Sequence, residues 1–506
     1  MCGHTFADVI EDRTRWSLHR VREAFSPPLL PELSGFSGVE AWSRWRSDLA
    51  IPVGTPFLIA PDLSYDVKLN AFFYSADMLS SRMSTRLGYA RDLKGFLDFL
   101  EHARVGTSWW NADQEDHRAY LVWRREDLTG PRVSPATWDR EVSAVDRFYR
   151  WQLLNGHVAA HPIPQRAKRS GRKGTPPVAS GQTAATYSHS ARRGLIAWLP
   201  ARSYRIWRDV GLRGYGSDGL RDPLFRGRWA DRNAVFADMM VRTGLRLSEQ
   251  SALSVIELPE VRASSGYHRF WLPPAIAKGG SARWVYVPTR ILRMLHSYVD
   301  IDRRLSITQA QRRGAYDRPD AGFLYLDAHF RAHATAEGAS TRDSSVRLSQ
   351  LTADERRRLL MQGPEGWEPA SLWLTEEGMP VSTSTWKDIF RQANQRCANH
   401  EIGVAAHAHM LRHTFAVLTL EQLQRGHIAS LAHLNPAQRT HYTRVFGDPL
   451  DWVRQRLGHK SVTTTQVYLH ALEELEMETR MKLVSDPWED SRDTALVITH
   501  EPGSEL

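Results

Sequence analysis

The sequence predicts a mainly α-helical protein with a small antiparallel β-sheet, in which an N-terminal helical domain precedes a larger α+β domain. Three observations predict this arrangement. Apolar residues follow the helical period through residues 66–158. A stretch rich in Pro, Gly and Ser interrupts the pattern at residues 162–194. The second half is again largely helical, but two alternating segments meet at Gly279-Gly280, which is typical of a β-hairpin.

Three helices account for the N-terminal domain, residues 66–160. Ser84 and Thr85 can cap the first helix, whose apolar positions recur at helical spacing. These positions are Leu87, Ala90, Leu93, Leu97 and Leu100. The second helix covers Asp113 to about Glu126.

The third helix begins at Ser134, a capping residue that is followed by Pro135 at the first helical position. Its inward-facing residues are Trp138, Val142, Val145 and Phe148.

The segments on either side of this domain lack such a pattern. We assign residues 1–65 to an N-terminal extension, since they are rich in Trp, Arg and Pro without a period. Residues 161–194 are interpreted as a flexible, solvated linker. Its basic residues are Arg166, Lys168, Arg169, Arg172 and Lys173. A basic linker between two domains can also lie along a phosphate backbone, and this second interpretation stays open.

The second domain spans residues 195–485 and is followed by a tail at 486–506. Its first clear helix covers about Asp231 to Arg242 and ends at Gly244, because glycine readily takes the left-handed capping conformation. The hairpin comes next, with its strands in FWLPPAIAK and ARWVYVP.

A helix from Thr289 to about Arg304 follows the hairpin. Residues 305–368 are charged and without a clear period, so we expect an irregular insertion there. Helical patterns return at 384–398 and 409–423, and a second insertion is expected near 427–448.

The composition narrows the class of protein. Lys and Arg outnumber Asp and Glu by 66 to 57, a net charge of +9, which suits a polyanionic partner. Cys2 and Cys397 are the two cysteines, too few for a disulfide framework or a cysteine-based zinc site. No apolar run approaches the ~20 residues of a membrane span, and the N-terminus lacks the apolar core of a secretory signal. We therefore expect a cytoplasmic protein without a membrane partner.

Four short clusters contain residue types that can act on a phosphodiester. They are TGLRLSE, the lysine of the hairpin turn, HMLRHTF and LGHKS, the last followed nine residues after its histidine by a tyrosine. The candidate catalytic residues are Arg246, Glu249, Lys278, His409, Arg412, His459 and Tyr468.

Each cluster also has an ordinary explanation. Arg246 can pair with Glu249 on a helix surface, and Lys278 can be a solvated turn residue. His409 and Arg412 lie three residues apart, on one helical face, and can form a surface pair.

Two further alternatives concern the histidines and the tyrosine. His407, His409 and His413 suggest a metal site, although no carboxylate cluster is nearby in the sequence. Tyr468, between Val467 and Leu469, can be a core tyrosine.

Taken together and in this order, the four clusters resemble the catalytic domain of tyrosine recombinases, the phage-integrase family. The resemblance covers roughly residues 66–485, and LGYARDLKGFLDFL in the helical domain is similar to the family's core-binding domain. It implies that Tyr468 attacks a DNA phosphodiester and becomes linked to the 3′-phosphate. It also implies that Arg246 and Arg412 clamp the phosphate oxygens, and that Lys278 protonates the leaving 5′-oxygen.

The remaining roles follow from the same resemblance. His409 serves as general acid-base or supports the phosphate, His459 donates a hydrogen bond to it, and Glu249 orients active-site groups. The chemistry needs neither a metal ion nor ATP, so no cofactor is expected, and no GxxxxGK[ST] motif occurs.

The resemblance implies double-stranded DNA as the partner and a tetramer on two paired recombination sites, with accessory recombination proteins as further partners. The length favours a mobile-element integrase or transposase, cytoplasmic and nucleoid-associated when bound to DNA. Two alternatives stay open: a type IB topoisomerase-like DNA relaxase, and a catalytically inactive DNA-binding regulator derived from an integrase.

Overall fold

The chain folds into two compact units, residues 1–192 and 193–506, each with its own hydrophobic core. The structure is a computed structural model that describes residues 15–21, 51–167, 182–188, 196–227, 229–262, 266–317, 322–335, 345–432, 448–469 and 471–472. Within these ranges, no helix combines the length and the hydropathy that a bilayer crossing requires.

The first unit is built on the three predicted helices, which are confirmed. It contains α1 Val67–Ala71, α2 Ala76–Leu79, α3 Met83–Ala103, α4 Gln114–Arg125 and α5 Pro135–Leu154. The predicted cap of α3 was wrong, because Arg82 precedes the helix. The hydroxyl of Ser134 does cap α5 by accepting a hydrogen bond from the backbone N–H of Thr137. The inward residues predicted for α5 are buried.

Two short strand pairs complete this unit. Strands β1 Ser17–Arg20 and β2 Pro56–Ile59 pair antiparallel, as do β3 Gln165–Ala167 and β4 Gln182–Ala184. The pairing of β3 with β4 shows that the prediction of a flexible linker was wrong at both of the linker's described ends. Ala184 is buried in the helical core, and the indole of Trp138 donates to the carbonyl of Thr186 at 2.8 Å. Residues 168–181, with most of the basic cluster, lie outside the described residues.

The second unit begins with α6 Ala201–Ile206, which continues into a π-helical segment at Trp207–Leu212. Helix α7 Ala230–Thr243 ends as predicted, with Gly244 in the left-handed conformation (φ 66°). A side chain at that position would meet the ring of Phe415, so a glycine is required there for space as well as for φ. A short helix, α8 Leu247–Ser251, follows directly.

The predicted hairpin is confirmed. Strands β5 Tyr267–Leu272 and β6 Arg283–Pro288 pair antiparallel, and a 3₁₀ turn at Lys278–Gly280 lies between them. The next helix is longer than expected. It runs through α9 Thr289–Tyr298 and a π-type turn at Val299–Arg303 into α10 Arg304–Arg312.

The prediction of an irregular insertion at 305–368 was wrong. This part forms a five-stranded mixed sheet of order β11-β10-β7-β8-β9, in which β7 and β10 are parallel. The strands are β7 Leu324–Leu326, β8 Arg331–His333, β9 Val346–Arg347, β10 Leu359–Gly363 and β11 Gly366–Pro369, with helix α11 Ala353–Arg356 before β10. Buried residues of these strands include Leu326, Leu359 and Leu360. Strands of about three residues are too short to show an alternating pattern in the sequence.

Three helices close the second unit: α12 Thr383–Asn399, α13 Ala408–Ala432 and α14 Pro449–Leu457. Helix α13 packs against both α7 and α14, and a further helical stretch covers residues 463–469. The expected insertion at 427–448 begins within α13, and residues 433–447 lie outside the described residues, as does the tail at 486–506.

Candidate active site

Arg412 is the central side chain of the candidate site. It lies near the start of α13 and is only 1% exposed. Its guanidinium donates to the carbonyl oxygens of Gly244 and of Leu457, the latter at 2.6 Å. Its Nη2 also lies 3.3 Å from Nε2 of His459. Arg412 therefore joins the end of α7 and the end of α14 to α13, three segments that are far apart in the sequence.

Glu249 organises the other half of the site from helix α8. Its side chain is fully buried, and its carboxylate lies 2.8 Å from Nη1 of Arg246 and 2.6 Å from Nη2 of Arg283. It also accepts from the backbone N–H groups of Arg246 (3.0 Å) and Lys278 (3.3 Å). Burial would raise the pKa of Glu249, but the hydrogen bond and charge of Arg283, with Arg246, lower it to about 2.

Arg283 was missed by the sequence argument, which treated its strand as part of a hairpin pattern. Besides Glu249, its Nε donates to the carbonyl oxygen of Arg456, at 2.8 Å, and so ties β6 to the end of α14. Lys278 itself is exposed at the hairpin turn, beside Gly279 and Gly280, which both have positive φ. The lysine side chain therefore projects from a turn whose backbone is held by Glu249.

His459 follows Gly458, the left-handed cap of α14. Its Nδ1 lies 3.0 Å from the hydroxyl of Thr465, which leaves Nε2 facing Arg412. Burial, and then the positive charge of Arg412, lowers the pKa of His459 to about 4, so the ring is neutral near neutral pH. Thr465 is a second residue that the sequence argument missed.

Tyr468 lies in the helical stretch at 463–469 and is 2% exposed. Its ring stacks on that of His459, with centroids 6.3 Å apart and an interplanar angle of 10°. Its hydroxyl lies 3.0 Å from Nδ1 of His413. Burial raises the pKa of Tyr468, and the positive charges of Arg412 and Arg246 oppose that effect.

His409 lies one helical turn before His413 on α13, and their rings form an edge contact with centroids 4.3 Å apart. Burial and the charge of Arg412 lower the pKa of His409. The three histidines of this segment also suggested a metal site. Among the described residues, however, no group of three His, Cys, Asp or Glu side chains could hold a metal ion.

The electrostatics of the site favour an anion. Arg246 and Arg283 both pair with the carboxylate of Glu249, whose negative charge also acts on Arg412. Burial and the neighbouring charge of Arg246 lower the pKa of Arg412 to about 9. A bound phosphate would supply the missing negative charge and restore the ordinary basicity of that guanidinium.

Comparisons with known proteins show which families this chain is similar to. The family described as phage integrase, N-terminal SAM-like domain, matches residues 74–156. The chain is 21% identical over 397 residues to the tyrosine recombinase XerC of Lactobacillus delbrueckii subsp. bulgaricus, covering 78% of this chain and 91% of the relative. It is 23% identical over 400 residues to XerC of Roseiflexus castenholzii, covering 78% and 85%. The chain is thus similar to tyrosine recombinases, and its N-terminal helical domain matches the SAM-like domain of phage integrases.

Solved structures of lower similarity include family members bound to DNA. One is the XerH recombinase in a post-cleavage complex with palindromic difH, with a TM-score of 0.45, 14% identity and coverage of 85% of this chain and 87% of that one. Another is the Tn1549 transposon integrase with transposon right-end DNA, with a TM-score of 0.41, 12% identity and coverage of 81% and 97%. The mainly α-helical fold with small sheets is the fold predicted from the sequence.

Proposed function

We propose that this protein cleaves and rejoins double-stranded DNA at specific sites, through a covalent 3′-phosphotyrosyl intermediate on Tyr468. One observation supports this best. The ring of Tyr468 lies parallel to that of His459, whose Nε2 is 3.3 Å from the guanidinium of Arg412. The positive charges of Arg412 and Arg246 act on the buried hydroxyl of Tyr468, so this network is assembled from separate segments. A core tyrosine would need no such network.

The two arginines account for transition-state stabilisation. Negative charge develops on the non-bridging oxygens during in-line attack, and planar guanidinium groups donate to such oxygens in pairs. Arg412 is held by two carbonyl oxygens, and Arg246 by Glu249, so both are positioned before the phosphate arrives. Glu249 is thus a positioning residue, because it acts through its neighbours.

The other predicted residues take complementary roles. Lys278, on the hairpin turn, protonates the 5′-oxygen as the P–O5′ bond breaks. His459 donates to a non-bridging oxygen from Nε2 in the tautomer in which the Thr465 hydroxyl donates to Nδ1, and His409 supports the same phosphate. Cationic side chains supply the positive charge and the phosphotyrosyl bond stores the bond energy. The mechanism therefore uses neither a metal ion nor ATP.

We further propose that four protomers act together on two paired sites. Each chain carries one Tyr468 and so cuts one strand, while exchange between two duplexes requires four cuts. The tail at 486–506, with six acidic residues, one arginine and the apolar run Ala495–Thr499, is suited to dock on a neighbouring protomer.

The second unit offers a cavity whose chemistry matches that tail. It has a volume of about 850 Å³ and contains apolar side chains together with arginines. Among its lining residues are Met294, Phe415, Leu418, Arg208, Arg242 and Arg290. A segment with acidic and apolar residues could pair with the arginines and pack against the apolar side chains of this cavity.

The test begins with DNA selected from a random-sequence pool by binding to the Tyr468→Phe variant, which needs no catalysis. A duplex with this sequence and a nick near the cleavage point traps the covalent intermediate. The short fragment that carries the free 5′-hydroxyl diffuses away, so the strand cannot be rejoined. We expect a denaturant-stable protein–DNA adduct that forms in EDTA and without ATP. Strict dependence on Mg²⁺ or ATP contradicts the proposal. A topoisomerase-like relaxase would relax supercoiled plasmids without the selected site, and an inactive regulator would bind without forming an adduct.

A further inference from the structure

The hydroxyl of Tyr468 lies at hydrogen-bond distance from a histidine to which the sequence argument gave no catalytic role. Nδ1 of His413 lies 3.0 Å from that hydroxyl, within hydrogen-bond distance, and the two rings lie 5.6 Å apart. Among the described residues, His409 shows no hydrogen bond to Tyr468, and its ring instead lies against that of His413. We propose that His413 is the catalytic base that takes the proton from Tyr468 during DNA cleavage, an inference that rests on the proposed function.

The protonation state of His413 is right for this role. Nδ1 accepts from a phenol only when its lone pair is free, which requires a neutral ring with the proton on Nε2. Burial lowers the pKa of His413 to about 3, and electrostatic interactions with His409, Arg412, His407 and His459 act in the same direction. Among the described residues, these groups and Tyr468 are the titratable and charged neighbours that act on the ring. The ring is therefore neutral before DNA binds.

Phosphate binding converts this neutral ring into a better base. The negative charge of a phosphodiester beside Arg412 offsets the repulsion that disfavours an imidazolium at His413. The base thus gains proton affinity only when the substrate is in place. In the protein without DNA, the phenol of Tyr468 stays protonated, because burial raises its pKa.

The proton and bond changes balance. The O–H bond of Tyr468 breaks and its proton moves to Nδ1 of His413, while the phenolic oxygen forms a bond to phosphorus. The P–O5′ bond breaks, and the 5′-oxygen takes a proton from Lys278. In the rejoining step the 5′-hydroxyl returns its proton to Lys278, and His413 returns its proton to the leaving phenol.

The experiment measures single-turnover cleavage of the nicked duplex by full-length protein between about pH 6 and about pH 10. His413→Ala is expected to cleave about 100-fold more slowly near neutral pH, and its rate is expected to keep rising with pH as hydroxide replaces the base. His413→Asn keeps an acceptor near the Nδ1 position but cannot carry the proton, so the same loss is expected. Added imidazole is expected to restore cleavage to His413→Gly.

Binding of the selected duplex shows that each variant is folded, and Arg425→Ala, an exposed position on the same helix, is the matched control with wild-type cleavage. Wild-type rates in His413→Ala or His413→Asn overturn the role of His413, as does an equal loss at every pH without imidazole rescue. Absence of an adduct from the wild-type protein is a different result, because it overturns the proposed function itself.

Discussion

The carboxylate of Glu249 and the guanidinium of Arg283 lie 2.6 Å apart inside the second unit, although the residues are 34 positions apart in the sequence. The pair joins α8 to β6. Since Glu249 also holds Arg246 and the backbone of Lys278, it fixes the positions of two proposed catalytic residues at once. The stability of the fold and the geometry of the site therefore depend on the same carboxylate.

Glu249→Gln is expected to lower both stability and cleavage. The substitution leaves the buried Arg283 without a counter-charge, a change that typically costs about 3–5 kcal/mol. Urea unfolding of the full chain and single-turnover cleavage measure the two effects. In the double variant with Arg283→Met, stability is expected to recover in part while cleavage stays low, because Arg246 still lacks its partner. Additive losses in the double variant would show that the pair is not coupled.

The same carboxylate predicts a pH dependence of stability. Its pKa is lowered from 4.5 to about 2 in the folded protein, so its contribution is complete above the unfolded value and is lost as the pH falls through the folded value. At about 1.4 kcal/mol per pKa unit, this amounts to about 3 kcal/mol. Thermal unfolding between about pH 5 and about pH 2 is expected to show a steeper fall for the wild type than for Glu249→Gln. Parallel curves would contradict this assignment.

The two arginines that we propose to bind phosphate are expected to tolerate no substitution. Arg246→Ala and Arg412→Ala each remove a preorganised donor, so cleavage is expected to fall by at least ~100-fold. Arg412→Lys is expected to behave like the alanine variant, because an ammonium cannot reproduce the planar fork that reaches two carbonyl oxygens and a phosphate. Arg425→Ala, an exposed arginine paired with Glu421 on the same helix, is the control. A mild loss in Arg412→Lys would argue against bidentate phosphate contact.

The proposed tail docking predicts a defect in assembly with intact chemistry. A chain ending at Asp486 is expected to bind a single half-site normally, to lose cooperative binding to paired half-sites and to recombine poorly. Met294→Glu, placed in the cavity, is expected to have the same effect. Gel shifts on single and paired half-sites, with a recombination assay, provide the comparison. Unchanged cooperativity in both variants would exclude docking of the tail in this cavity.

The sequence predicted the elements that have local signals. The C-cap of α7 at Gly244 and the N-cap of α5 at Ser134 could be predicted, because glycine and serine are the residue types typical of these positions. The five-stranded sheet escaped prediction because its strands have two to five residues and are assembled by long-range pairing, as between β7 and β10. A period cannot be seen in so short a segment.

The candidate site shows the same division. Of the predicted residues, His459 lies 3.3 Å from Arg412, and the charges of Arg246, Glu249 and Tyr468 act on that guanidinium. Their catalytic roles stay predictions. Arg283 and Thr465 could not be identified, since their importance lies in contacts with Glu249 and His459 across the fold. His413 is part of the HMLRHTF motif, but only the structure shows that its ring lies beside the hydroxyl of Tyr468.

The most direct test of the central claim locates the covalent bond. The adduct formed on the nicked, selected duplex is digested with nuclease and protease, and the peptide that retains a nucleotide is sequenced by mass spectrometry. We predict a phosphotyrosyl link on Tyr468, and no adduct from Tyr468→Phe despite normal binding of the duplex. An adduct that persists in Tyr468→Phe, or that maps to Tyr442 or another tyrosine, would contradict the account.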